Sequence, residues 1–206
     1  MTVIVDYGVG NLFSLQCSFR KIGEEVTVSS DGADLVRADR ILLPGVGAFG
    51  DAAEKLQASG LVPELKKQAA SGKPILGICL GMQLLFDRSF EFGCHEGLGL
   101  IPGQVVPIPA EGLKIPHMGW NVLKFQGEKH PLFKYLQDGE YVYFVHSFCA
   151  QDCGKHVIGV TDYGGEIVAA AADKNVMGCQ FHPEKSGETG LNILRAFCEM
   201  QGGGVC

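Results

Sequence analysis

The chain opens on a short apolar run, Thr-Val-Ile-Val-Asp at 2–6, and a different pattern follows at once. Over residues 11–22 the apolar positions Leu12, Leu15, Phe19 and Ile22 recur three and four apart, which lines one face of a helix. Strand and helix then alternate. Residues 25–30 and 40–44 read as strands, a helix runs through 52–57, and 62–71 is helical with Pro63 in its first turn. Residues 73–78, Lys-Pro-Ile-Leu-Gly-Ile, form another strand. A run this apolar has no polar face to give to water, so it belongs in a parallel sheet covered on both sides. From about residue 103 the pattern changes to strand-like runs at 103–109, 117–125, 140–148, 155–163, 166–173 and 176–181, with Gly, Asp and Asn turns between them. A last helix over 190–200 and a glycine-rich frayed tail at 202–204 complete the reading. With 206 residues the chain has room for one well-buried core, and a single α/β domain over 1–206 is expected.

Charge and composition narrow the chemistry. Seventeen Lys and Arg against 23 Asp and Glu give a net charge of −6, which argues against nucleic acid or an anionic membrane as partner and favours a small polar substrate. The N-terminus has no basic leader and no long apolar stretch, so neither a signal peptide nor a membrane span is expected, and a cytoplasmic location is. Eight cysteines, at 17, 79, 94, 149, 153, 179, 198 and 206, are scattered through a chain with ample core, which suits reduced thiols, most of them small buried hydrophobes. The 29 glycines gather at the ends of apolar runs, where tight turns and close backbone approach call for them.

One of those ends is Gly-Ile-Cys-Leu-Gly at 77–81, between the strand at 73–78 and a helix-prone Met-Gln-Leu-Leu-Phe. G-x-C-x-G has the form of a nucleophile elbow, a sharp strand-to-helix turn that holds its reactive side chain away from the backbone. Gly77 and Gly81 remove the β-carbons that would collide, and Cys79 falls at the N-terminus of the helix beginning near Leu80, where the macrodipole favours thiolate. A free thiol of pKa about 8.5 is only slightly ionised at neutral pH, so that bias matters. A thiolate needs a base. Phe-His-Pro-Glu-Lys-Ser at 181–186 supplies His182 after a strand, with Pro183 stiffening the turn so that Glu184 can reach back to one ring nitrogen and leave the other for the sulfur. Cys79, His182 and Glu184 then form a nucleophile, base and orienter. Attack by Cys79 would put negative charge on a carbonyl oxygen, and the backbone N–H of Leu80 is one donor for it.

Together, Gly-Ile-Cys-Leu-Gly-Met-Gln and Phe-His-Pro-Glu-Lys-Ser resemble the class I (triad) glutamine amidotransferases. Asp-Tyr-Gly-Val-Gly-Asn-Leu-Phe-Ser at 6–14, Leu-Pro-Gly-Val-Gly-Ala-Phe-Gly-Asp-Ala at 43–52, His-Met-Gly-Trp-Asn at 117–121 and Val-Tyr-Phe-Val-His-Ser-Phe at 142–148 extend the resemblance nearly end to end. These further segments point to the branch that serves histidine biosynthesis. The resemblance implies a flavodoxin-like α/β sandwich, with a mixed, mostly parallel central sheet and helices on both faces. It implies that glutamine is hydrolysed to glutamate and ammonia through a thioester, the ammonia passing to a separate (β/α)₈ cyclase subunit in a heterodimer. No cofactor is implied. By resemblance Val46 and Gly47 join Leu80 as oxyanion donors, and Gly45, Gln83, His146 and Ser147 contact substrate. Asn11, Met118, Trp120 and Tyr143 fall in segments that resemble the docking face. Phe148 departs from the family pattern, which would have tyrosine there.

Plainer readings compete at several positions. Gln83 could simply cap its helix, His146 could be a structural strand histidine, and Trp120 could be core. Cys149, Cys153 and His156 fall at C-x₃-C-x₂-H, but the spacing lacks a fourth ligand, and no metal site is expected. Two other classes share parts of the pattern: a different cysteine hydrolase on the same sandwich, such as a γ-glutamyl peptidase or a DJ-1-like protein, and a binding subunit that has lost turnover. The first need not carry the His-Pro-Glu turn; the second has no physical reason to keep a strained elbow.

Overall fold

A computed structural model describes residues 1–109 and 112–202. The first half alternates as its pattern predicts: β1 (Thr2–Val5), α1 (Leu12–Lys21), β2 (Val26–Ser29), α2 (Gly32–Arg37), β3 (Arg40–Leu43), α3 (Phe49–Ala58), α4 (Val62–Ala70), β4 (Ile75–Ile78) and α5 (Leu80–Leu84). The second half is mostly strand: β5 (Arg88–Ser89), β6 (His95–Glu96), β7 (Gln104–Pro107), β8 (His117–Val122), β9 (Lys124–Phe125), β10 (Tyr141–His146), β11 (Phe148–Gln151), β12 (Val157–Asp162), β13 (Glu166–Asp173) and β14 (Val176–Cys179), before α6 (Gly187–Cys198).

The central sheet runs β2-β1-β3-β4-β14-β13-β12-β9. Its first five strands are mutually parallel and the last three antiparallel. Alternating side chains of each inner strand feed two cores. Val3, Val5, Ile41, Leu43 and Ile75 pack with Leu35, Leu56 and Leu65 of α2, α3 and α4. Ile4, Leu42, Leu76 and Ile78 pack on the other face with Leu15 and Phe19 of α1 and Ile193, Leu194 and Phe197 of α6. Each such side chain, taken fully out of water, contributes about 1.5–3 kcal/mol, which is why apolar runs of only four residues suffice to fix these strands.

The structure revises several expected elements. Helix α2 was not legible: six residues are too few for a periodic signal, and its start is marked only by Asp31, whose side chain accepts the Ala33 N–H. The run at 117–125 divides at buried Leu123, with β8 pairing β10 in a two-stranded sheet and β9 adding to the edge of the central one. The run at 140–148 divides at Ser147, because β11 leaves β10 to pair with β7. The last helix begins at Gly187, a turn earlier than its apolar pattern. Gly190 there lies so close to the His182 turn that a β-carbon would sit 1.9 Å from Pro183 O. Among the described residues no helix is long and apolar enough to cross a membrane. The expected tail at 202–204 lies, from Gly203 on, outside the described residues, as does Cys206.

Candidate active site

Strands β4 and β14 lie side by side and parallel, so their C-terminal ends deliver Cys79 and His182 to one edge of the sheet, where ligands of open α/β sheets collect. Cys79 is 8% exposed and sits at φ 54°, ψ −111°, a conformation costing a non-glycine residue about 1–3 kcal/mol. Packing holds it there. A β-carbon on Gly77 would lie 2.6 Å from Gly81 O, one on Gly81 1.9 Å from Leu43 O, and one on Gly178 2.4 Å from Met82 Cγ. The Cys79 N–H donates to Cys179 O at 2.8 Å, which ties the turn to β14.

His182 is 3% exposed. Its N–H donates to Tyr143 O at 2.9 Å and its carbonyl accepts from Ser186 Oγ at 2.6 Å, so the turn after β14 is pinned before its side chains are considered. Nδ1 donates to Glu184 Oε1 at 2.8 Å, across a turn that Pro183 opens, and this leaves Nε2 for the sulfur. Burial, the largest influence, pulls the His182 pKa down. The hydrogen bonds and charges of Cys79 and Glu184 together outweigh it, and the imidazole is pushed up to about 9. The imidazole beside the Cys79 sulfur is thus positively charged at neutral pH. The helix behind Cys79 runs only over Leu80–Leu84, too short for a full macrodipole, so the His182 imidazolium is the main positive charge facing the sulfur.

The Pro44–Gly47 loop lies against the elbow. A β-carbon on buried Gly45 would stand 2.7 Å from Gly81 N and 3.0 Å from Tyr7 Oη, and Tyr7 donates its hydroxyl proton to Pro44 O at 2.7 Å. Burial, reinforced by charge at Cys79, holds the Tyr7 pKa far above the usual phenol range, so that donor stays protonated. Beyond Gly45 the loop opens: Val46 and Gly47 are exposed, Gly47 has φ +95°, and among the described residues neither N–H has a hydrogen-bond partner. Leu80 is the first residue of α5, a position whose N–H has no acceptor inside the helix.

Gln83 is neither a cap nor free. Its Nε2 donates to Phe148 O at 3.1 Å and to Gln180 Oε1 at 2.9 Å, and Gln180 Nε2 points at Cys79 Sγ from 3.7 Å. His146 is buried at the end of β10, with Ser147 half-buried beside it. Burial is the main cause of a His146 pKa lowered to about 4; the hydrogen bond to the Phe148 carbonyl opposes it, and His117 and His182 add to it. The missing hydroxyl at Phe148 removes no contact that its backbone makes: the carbonyl serves Gln83 and His146, and the ring meets Phe92 edge-on at 6.1 Å.

Three contributors were missed in the sequence. Gln180 could have been noticed as the one polar residue in Met-Gly-Cys-Gln-Phe, where full burial demands a partner. Glu91 is a buried carboxylate that accepts the Phe49 N–H at 2.7 Å and so anchors α3, the helix that follows the Pro44–Gly47 loop. Its short, irregular segment gave no signal. Tyr7 sits in the Asp-Tyr-Gly-Val-Gly-Asn motif with nothing in its spacing to point to Pro44.

Of the surface positions, Met118 and Trp120 are 61% and 55% exposed, so Trp120 is not core. Tyr143 meets Trp120 edge-on at 6.0 Å, and Lys185 Nζ stands 5.8 Å over the Tyr143 ring. Asn11 is spent on α1, its side chain accepting the Ser14 N–H at 3.3 Å. Cys149 and Cys153 are buried thiols pushed up to about 11 and about 12, mainly by burial, while His156 turns to Ala172 O and Asp173.

Residues 3–200 match the family described as glutamine amidotransferase class-I. The chain is 52% identical to the imidazole glycerol phosphate synthase subunit HisH of Sulfurimonas denitrificans, covering 96% of this chain and 97% of that one. It is 49% identical to the protein of the same name from Syntrophotalea carbinolica, over 97% and 100%. Among solved structures, PurLQS from Thermotoga maritima superposes with a TM-score of 0.73 at 23% identity, over 96% of each chain.

Proposed function

The chain belongs to the class-I glutamine amidotransferase family, and on that footing we propose that Cys79, His182 and Glu184 hydrolyse glutamine for the cyclase partner of an imidazole glycerol phosphate synthase. It is the glutaminase subunit of that synthase, as its end-to-end likeness to the HisH subunits makes plain. The observation that carries the assignment of roles is a cysteine forced to positive φ beside an imidazole that Glu184 holds at 2.8 Å.

The Cys79 sulfur attacks the side-chain carbonyl of glutamine while its proton rests on His182 Nε2. Negative charge grows on the carbonyl oxygen, where the N–H groups of Leu80, Val46 and Gly47 receive it. His182 then returns the proton to the departing nitrogen, so ammonia leaves and a γ-glutamyl thioester remains on Cys79. A water molecule, deprotonated by the same imidazole, cleaves the thioester to glutamate. Glu184 keeps the ring in the tautomer these transfers need and offsets its positive charge. Gly45, Gln83, His146 and Ser147 surround the bound glutamine.

Residues 1–206 work as one glutaminase domain in the cytoplasm and pass ammonia to a (β/α)₈ cyclase subunit docked on the face of Asn11, Met118, Trp120 and Tyr143. Support comes from the exposure of that aromatic face and its attachment to the catalytic turn, since Tyr143 N–H donates to Ser186 Oγ at 2.9 Å. The test is Cys79→Ala in complex with the cyclase. Glutamine-dependent product should fall by at least about 10³-fold, while ammonia-dependent product is retained. Parallel loss of both would refute the division of labour.

A further inference from the structure

We propose that His117 is a positioning residue for the Cys79 nucleophile, at the outer end of a hydrogen-bonded string that runs from β8 to the sulfur. The string has a direction, fixed group by group. A backbone carbonyl can only accept, so His146 Nδ1, 2.8 Å from Phe148 O, carries the proton and His146 Nε2 is an acceptor. His117 Nδ1, 3.0 Å away, therefore donates, which leaves His117 Nε2 to accept from Asn121 Nδ2 at 3.4 Å. Asn121 is itself anchored, giving a proton to Asp162 O at 2.7 Å and accepting the Val122 N–H at 2.8 Å.

From the other side, Gln83 Nε2 gives one proton to the same Phe148 carbonyl and the second to Gln180 Oε1. That bond decides which end of the Gln180 amide faces Cys79. With Oε1 engaged, Nε2 turns to the sulfur. A donor there favours thiolate; a flipped amide would present a carbonyl oxygen and repel it. The two halves meet on one carbonyl, so the ring orientation of His146 and the amide orientation of Gln180 are set together.

The outer end is built to stay in place. The His117 ring is stacked between Tyr163, with centroids 4.0 Å apart, and Phe144 at 4.7 Å, and Tyr163 donates its hydroxyl proton to Lys114 O at 2.6 Å. Desolvation lowers the pKa of both histidines, so the string works with neutral rings. The titratable groups that act on Cys79 from the surrounding elements are His182, Tyr7 and Cys179, with Glu184 acting on the last and on His182. His117 acts on none of these directly; its titratable neighbour is His146, which also faces His182.

The inference rests on reading Cys79 as the nucleophile, so its test includes a readout that needs no turnover. Alkylation of Cys79 by iodoacetamide is followed on its own peptide by mass spectrometry, across the pH range in which thiols titrate, in the full chain. His117→Phe keeps the aromatic stack and removes both hydrogen bonds. It should slow alkylation at neutral pH about tenfold and move the profile to higher pH, and Gln180→Leu should do the same. His117→Asn, whose amide nitrogen falls where Nδ1 was, should restore the profile. Glutamine hydrolysis with the cyclase present should follow the same order, in kcat and not in KM. An unchanged profile in His117→Phe, or a His117→Asn variant as impaired as His117→Phe, overturns the proposal. If the alkylation profiles respond as stated but even the unaltered complex hydrolyses no glutamine, the string stands and the glutaminase reading falls.

Discussion

Two glycine-framed turns face each other across the site, and they are built in opposite ways. Around Cys79 the glycines are there because nothing else fits: a β-carbon on Gly77, Gly81 or Gly178 would lie within 2.6 Å of a neighbouring atom. In the Pro44–Gly47 loop only the near end is gripped, by Gly45 against Gly81 and by Tyr7 on Pro44 O. At Gly47 a β-carbon would meet nothing within 4 Å, and glycine serves there for its φ of +95°. Cys79 and His182, the proposed nucleophile and base, are thus fixed by packing, whereas Val46 and Gly47, the proposed oxyanion donors, are placed by backbone conformation alone. Substrate or partner binding can adjust the second without disturbing the first.

Substitutions should separate the two. The largest effect on stability is expected at Gly81→Ala, where the new methyl would overlap Leu43 O. A cost of about 3 kcal/mol or more should appear as a lower denaturation midpoint with an unchanged m-value, and activity should be lost with the fold. Gly47→Ala has room for its methyl and pays only for the backbone, about 1–2 kcal/mol. Its glutaminase kcat should fall about tenfold while alkylation of Cys79 stays at the wild-type rate, because only the oxyanion donors move. If Gly47→Ala slowed alkylation as much as hydrolysis, the two turns would not be independent.

A further effect, confined to acid, concerns how firmly the packed side is held. His146 has its pKa lowered from 6.5 to about 4 by burial. A depressed folded-state pKa means that the unfolded chain binds the extra proton first, so this contribution is complete above pH 6.5 and is lost as pH falls toward 4. Urea unfolding across that window should show stability dropping by roughly 3 kcal/mol at most, and His146→Gln should flatten the dependence. An equal slope in the variant would mean that another group is responsible.

The same contrast explains what could be read from the sequence. The elbow and the His-Pro-Glu turn are legible because their chemistry is local: two glycines bracket one cysteine, and a single proline separates the acid from the imidazole. The inner strands are legible because burial on both faces leaves no polar position to confuse the pattern. Gln180, Glu91 and Tyr7 were not legible as site residues, since each earns its role from a partner dozens of residues away. The runs at 117–125 and 140–148 look like single strands because Leu123 and Ser147 fit a strand in isolation, and only their partners make the chain change sheets. At Trp120 the plainer alternative fails: a lone tryptophan admits a core reading, yet this one is exposed, edge-on to Tyr143.

The most direct measurement is to capture the covalent step. The chain in complex with its cyclase is mixed with glutamine, quenched in acid before turnover is complete, and digested for mass spectrometry. A γ-glutamyl group on the Cys79 peptide, absent when His182 is replaced by alanine, is the expected result. Steady glutamine hydrolysis with Cys79 unmodified, or an adduct on any other cysteine, would contradict it.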